Sequence, residues 1–142
     1  MTIQVATVLA VATCLISCSQ PSDDTFSGTK ASPIGEKSFD EIEPGDCLAD
    51  VSLSGGKLQT ADCSSDEALT VVGITVAGEA APPDEPSPAM RNALGSDACD
   101  PVVSEWADKN SRDLKGLMQA ITIDDEWAGS QTAVVCSIAA SE

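Results

Sequence analysis

Four cysteines, Cys47, Cys63, Cys99 and Cys136, and one acidic run, Asp124-Asp125-Glu126, are the side chains best able to do chemistry in this sequence. Thiols of this kind bind soft metals, act as nucleophiles or oxidise to bridges. Zinc is the weak option: the four lie far apart, no CxxC pair occurs among them, and the chain has no His. The absence of His also removes the commonest general base. Asp124 and Glu126 could form the acid pair of a small hydrolase acting on glycosides. With Asp84 and Glu85 they could instead hold Ca²⁺, although no Asp-x-Asp-x-Asp-Gly loop is present. Adjacent acids on a loop are most simply solvated charge. Ser54-Gly55-Gly56 reads as a turn, because no Lys-Ser/Thr and helix follow it to cradle a phosphate. Trp106 and Trp127 are most simply core, and a Trp127 left exposed would mark a partner-binding anchor. No catalytic residue, metal site or cofactor is expected.

The elements that must position these residues follow from pattern. Residues 47–53 alternate, with Leu48, Val51 and Leu53 separated by small or polar residues, and Ser54-Gly55-Gly56 supplies a hairpin turn. Residues 57–63 form the return strand. Residues 67–77, rich in β-branched side chains, make the clearest strand. A Pro- and acid-rich loop spans 78–87, after which Ser87 caps a helix with Pro88 at its first position. Met90, Leu94 and Cys99 begin an apolar side that Val102, Val103 and Trp106 continue, and Pro101 interrupts it. Residues 114–123 suit a strand or a short helix, 124–130 a loop, and 131–139 a closing strand. The expected fold is a small α+β domain: a mostly antiparallel sheet with one kinked helix or two short helices, stapled by two disulfides.

Composition narrows the function. The chain has 142 residues, with 7 Lys plus Arg against 23 Asp plus Glu, a formal net charge of -16. Such a surface repels phosphate backbones and anionic headgroups, so no nucleic-acid partner is expected. There is no Tyr either, and few rings remain for stacking on sugars or bases.

Residues 3–16 form an uncharged apolar run, too short to span a bilayer core and right for the hydrophobic region of a signal peptide. It ends in Leu15-Ile16-Ser17-Cys18, which resembles the lipobox of bacterial lipoproteins: an aliphatic residue three places before Cys and a small one directly before it. The resemblance implies cleavage before Cys18, loss of Cys14 with the signal peptide, and acylation (palmitate among the chains) of Cys18. One acyl chain holds a protein only marginally, so a stable anchor needs at least two. The expected organisation is signal peptide 1–17, lipidated Cys18 and flexible tether 18–38, and domain 39–142. Residues 19–37 are dominated by Ser, Thr, Pro, Gly and Asp, a composition that cannot offset the entropy of ordering.

In an oxidising compartment, four remaining cysteines read as a disulfide framework with three possible connectivities. Cys47 and Cys63 lie equally far on either side of Gly55, so a hairpin turning there sets them on facing strands. That predicts Cys47–Cys63 and leaves Cys99–Cys136.

Several short motifs lie along the chain: Pro44-Gly45-Asp46-Cys47-Leu48, Asp62-Cys63 before the Val-rich Leu69-Thr70-Val71-Val72-Gly73-Ile74, helical Ala98-Cys99, and Glu126-Trp127-Ala128-Gly129 leading to Val134-Val135-Cys136. In these the chain resembles the septum formation domain family of actinobacterial envelope proteins. Together the motifs span about residues 39–140. Family members usually carry a Pro-His pair after the second Cys, where this chain has Ser64-Ser65-Asp66-Glu67. The resemblance implies an exported or membrane-tethered non-enzymatic module, loosely linked to the cell envelope and division, and no known ligand. The expectation is an extracytoplasmic, membrane-anchored lipoprotein whose domain binds another envelope protein or serves a structural role there. A secreted, unlipidated binding module and the small acid-residue hydrolase are the alternatives.

Overall fold

The β-branched run forms β4, Leu69–Val76, and its neighbour β6, Ala133–Ala140, is the most buried strand of the fold. The computed structural model describes residues 31–140. Residues 1–17, expected to be a signal peptide, Cys18, and residues 19–30 of the expected tether lie outside that range. Around β4 and β6 stand β1 (Pro33–Ser38), β2 (Cys47–Leu48), β3 (Lys57–Ala61) and β5 (Leu117–Ile123). All six join one antiparallel sheet in the order β1-β3-β2-β4-β6-β5. A single helix α1, Pro88–Lys109, crosses one face. The α+β fold with two disulfides is therefore as expected.

Each face of the sheet carries its own core. On one, Phe39, Ile42, Leu48, Leu58, Leu69, Val71, Ala120, Val135 and Ala139 pack together. The sheet curls to close this core, and Thr122 of β5 donates from Oγ1 to the Val51 carbonyl at 3.1 Å, joining its two halves. On the other face, α1 buries Gly95, Cys99, Val103 and Ala107, one every four residues; Cys99 and Val103 pack with Val134, Cys136 and Ile138, and Gly95 lies against Ile121 and Ile123. Because both faces of β6 are covered, residues 134–139 are all buried without alternation.

A bulge at Val72 shifts the β4–β6 register between Val71 and Gly73. Val71 faces the first core, whereas Val72 packs in the second and Gly73 lies beneath the helix. A Cβ on Gly73 would meet Val102 Cγ1 at 2.4 Å, and the β-branched Val102 has little freedom to withdraw. Gly73→Ala is expected to cost about 2 kcal/mol in urea denaturation by overpacking. Gly95→Ala makes the contrast. Its added methyl meets the flexible tip of Ile123 and gains about 1 kcal/mol of helix propensity, so the net change should be small. Equal losses from both would refute this account of the helix–sheet contact.

Three expectations need correction. The tether does not reach residue 38: Ala31 is buried and donates to Ala49 O at 3.1 Å, and residues 33–38 pair with β3. The first hairpin strand does not reach Leu53. It ends at Leu48, and Asp50 Oδ1 accepts from Ser52 N at 2.8 Å in a side-chain-closed turn. The alternative of two short helices is also wrong, since α1 runs 22 residues through Pro101. Pro101 lies on the exposed side, where the Asp97 carbonyl it leaves without a helical donor can turn to water. Residues 114–123 prove to be both options in turn, a 3₁₀ turn at Leu114–Gly116 and then β5.

Candidate functional site

The Pro-rich loop and Trp127 are brought together by α1. Ser87 Oγ accepts from Met90 N, which starts the helix and sets Arg91 one turn inside it. The Arg91 guanidinium lies 5.7 Å from the centroid of the Trp127 ring. It donates from Nη1 to Glu85 Oε1 at 2.7 Å and from Nη2 to the Asp124 carbonyl. Trp127 Nε1 donates to Pro82 O at 3.0 Å. One cation and one indole therefore latch the loop of residues 78–87 to that of residues 124–130.

Backbone contacts complete the latch. Gly78 N donates to Ser130 O at 3.1 Å, and Ala77 N to Thr132 O at 2.9 Å. Gly129 takes φ 58°, and even the space beside it is close: a Cβ there would lie 3.4 Å from Pro82 O. Thr132 Oγ1 accepts from Ala128 N at 2.8 Å. A shallow cleft of about 440 Å³ runs between the loops, lined by Glu79, Ala81, Pro83, Ala128, Gly129 and Ser130.

Trp127 is thus partly buried, with its N–H committed inside the chain, and is packed against the second core along with Trp106. What it presents outward is the loop above it, where Pro83, Asp84 and Glu85 are exposed. The acids are not assembled for metal binding. Asp124 Oδ1 accepts from Glu126 N at 3.1 Å, and the Arg91 cation occupies the junction between the two loops. Among the described residues, no three His, Cys, Asp or Glu side chains come together to hold a metal ion.

The cysteines pair as predicted, but not through the hairpin symmetry: β2 and β3 meet at Leu48↔Thr60, and β3 stops at Ala61, so Cys63 reaches Cys47 from beyond the end of its strand. Cys47 and Cys63 are bridged with Cα atoms 5.2 Å apart, and Cys99 of α1 is bridged to Cys136 of β6 at 5.5 Å. Cys99 and Cys136 are fully buried.

Sequence reasoning missed Arg91 and Asp46. Arg91 carried a faint signal, a rare cation one turn after the helix cap in an acidic chain. Asp46 sits in the turn before Cys47 and fastens three segments. Its carboxylate accepts from Lys37 Nζ at 2.7 and 2.8 Å and from Glu43 N at 2.8 Å, while its carbonyl accepts from Val71 N at 2.8 Å. Partial burial raises the Asp46 carboxyl, but the hydrogen bonds from Lys37 and Glu43 outweigh it and hold it below its ordinary 3.8. The hydrogen bond to Asp46 in turn raises Lys37 above 10.5.

The pH dependence follows from these signs. Asp46 is depressed in the folded state, so its contribution is present above 3.8 and is lost as pH falls through its folded value. Lys37 is raised, so its contribution is complete below 10.5 and is lost only as pH climbs through its folded value. Asp46→Asn is expected to lower stability at neutral pH and to flatten the acid limb of a stability–pH curve. An acid limb parallel to that of the wild type would show that Asp46 does not act through its charge.

These features define a disulfide-stapled α+β domain with a latched Pro-rich loop. The chain matches no family model, no curated protein and no solved structure.

Proposed function

We propose that this chain is an exported lipoprotein, held on the extracytoplasmic face of the cell membrane by lipid on Cys18, whose domain works by contact within the cell envelope. The observation that carries this reading is the pair of disulfides, Cys47–Cys63 and Cys99–Cys136, inside one small domain. Such bridges persist in oxidising compartments and are rare in the cytosol. Residues 1–18 supply a route out of the cytosol and a cysteine to acylate. With a net charge of -16 the chain has little attraction for anionic headgroups, so the lipid, not a basic patch, provides the anchor.

The contact face in this reading is the loop of residues 82–87 above Trp127. A loop already latched loses less entropy when it meets a partner. The resemblance to the septum formation family supports an envelope protein as that partner and a role connected with division. Contact also suits the acids better than hydrolysis does, since Asp124 is engaged with its own loop and Glu85 with Arg91.

Cys18→Ala is the test of the anchor. Cell fractionation should find the variant unprocessed, or released from the membrane, with the domain still folded. Unchanged processing and retention would refute lipidation at Cys18.

A further inference from the structure

The two edges of the sheet are treated differently. β1 carries Pro33, Glu36 and Lys37, residues that discourage another strand from adding to it. β5 reads Leu-Met-Gln-Ala-Ile-Thr-Ile over seven residues, with no charge and no Pro, and β6 pairs only one side of it. The direction of its free groups follows from the ladder. Asp124 N donates to Ala133 O, and the register runs from Leu117↔Ala140 to Ile123↔Val134. Alternate residues of an antiparallel strand point their backbone groups to opposite sides. Thr122, Ala120 and Met118 therefore bond β6, and Gln119, Ile121 and Ile123 turn their N–H and C=O groups outward. Among the described residues nothing accepts from or donates to them. Leu114 and Met118, 47% and 41% exposed, flank this edge. Gln119 Nε2 is buried beside it without an acceptor.

We propose that β5 pairs antiparallel with β5 of a second copy of this chain, about a twofold axis through Ala120. In that register Gln119 faces the second copy's Ile121 and exchanges backbone hydrogen bonds with it, and Leu117 faces Ile123. The two Gln119 side chains then lie diagonally across the axis, within reach of one another. Charge selects this occupant and this direction. Arg112 and Lys115, at the start of β5, are exposed and have no ion-pair partner among the described residues. Asp124, Asp125 and Glu126 stand at its other end. Antiparallel self-pairing sets the cations of each copy against the acids of the other, twice by symmetry, whereas parallel pairing sets acids against acids. The overall net charge of -16 opposes association, but that repulsion is screened beyond about 8 Å at physiological salt, and the end contacts are shorter than this.

The test is sedimentation equilibrium of the intact chain in mild detergent, with disulfide mapping of each variant to check folding. Gln119→Pro removes an N–H that points away from β6, so it should leave the internal ladder intact and abolish the dimer. Lys115→Glu and Asp125→Lys should each weaken the dimer about fivefold, and the double variant should restore it. A monomeric wild type would overturn the proposal, as would a dimer that persists in Gln119→Pro. Failure of the double charge exchange to restore association would overturn the antiparallel self-pairing.

Discussion

Replacing Cys99 and Cys136 together by Ala is expected to cost about 4 kcal/mol, the largest effect of any change considered for this domain. The bridge spans 37 residues, against 16 for Cys47–Cys63, and the longer loop removes more entropy from the unfolded chain. The corresponding loss for Cys47→Ala/Cys63→Ala is about 3 kcal/mol. Burial adds to the difference, since Cys99 and Cys136 are sealed between α1 and β6 while Cys63 is exposed. A small domain is stable by only about 5–15 kcal/mol, so the loss of the buried bridge should lower Tm by about 20 °C. Thermal unfolding of the two double variants checks both the sizes and the order. If the Cys47–Cys63 pair matters more, the helix–sheet staple is not the main covalent support of the fold.

Trp127→Ala is the second large effect, at about 3 kcal/mol. It removes a partly buried ring from the second core, strands the Pro82 carbonyl and takes the face away from Arg91. Trp127→Phe keeps the ring and loses only the donor, which should cost about 1 kcal/mol. Hydrogen exchange adds a local readout: the Ala81 amide, bonded to Gly78 O at 3.0 Å, should lose protection in Trp127→Ala and keep most of it in Trp127→Phe. A Trp127→Ala change within about 0.5 kcal/mol of wild type, the range of ordinary surface substitutions, would mean that the loop is not latched through this residue.

Much of the fold is legible in local sequence because local chemistry sets it. The β-branched content of residues 69–76 makes a strand in almost any setting. Ser87-Pro88 can both cap and begin a helix, and Gly55 with Gly56, at φ 59° and 72°, can turn a hairpin. That turn brings Cys63 near Cys47, but not by strand symmetry, since the register Leu48↔Thr60 leaves Cys63 beyond the end of β3. What was hidden depends on distant partners. β1 has little apolar content of its own and is a strand because β3 pairs with it. Pro101 reads as a break, yet its effect depends on which side of the helix meets solvent, and that is set by packing on β4, β5 and β6. The candidate site divides in the same way. The Pro-rich loop and Trp127 stand out by composition. The latch does not, because Arg91 lies 33 residues from Asp124 and Trp127 lies 45 from Pro82. Lys37 and Asp46 are closer in sequence, but the β1–β3 pairing that brings them together was not visible in the tether-like composition around Lys37.

The central claim is that this chain is an exported lipoprotein bearing an oxidised domain that acts by contact. Its most direct test is the intact mass of the native protein purified from the membrane fraction, recorded with and without thiol alkylation. The account predicts a chain beginning at Cys18, heavier than its sequence by at least two acyl chains, with no alkylation until reductant is added. A chain that retains residues 1–17, carries no lipid and alkylates at Cys47, Cys63, Cys99 and Cys136 without reduction would contradict it.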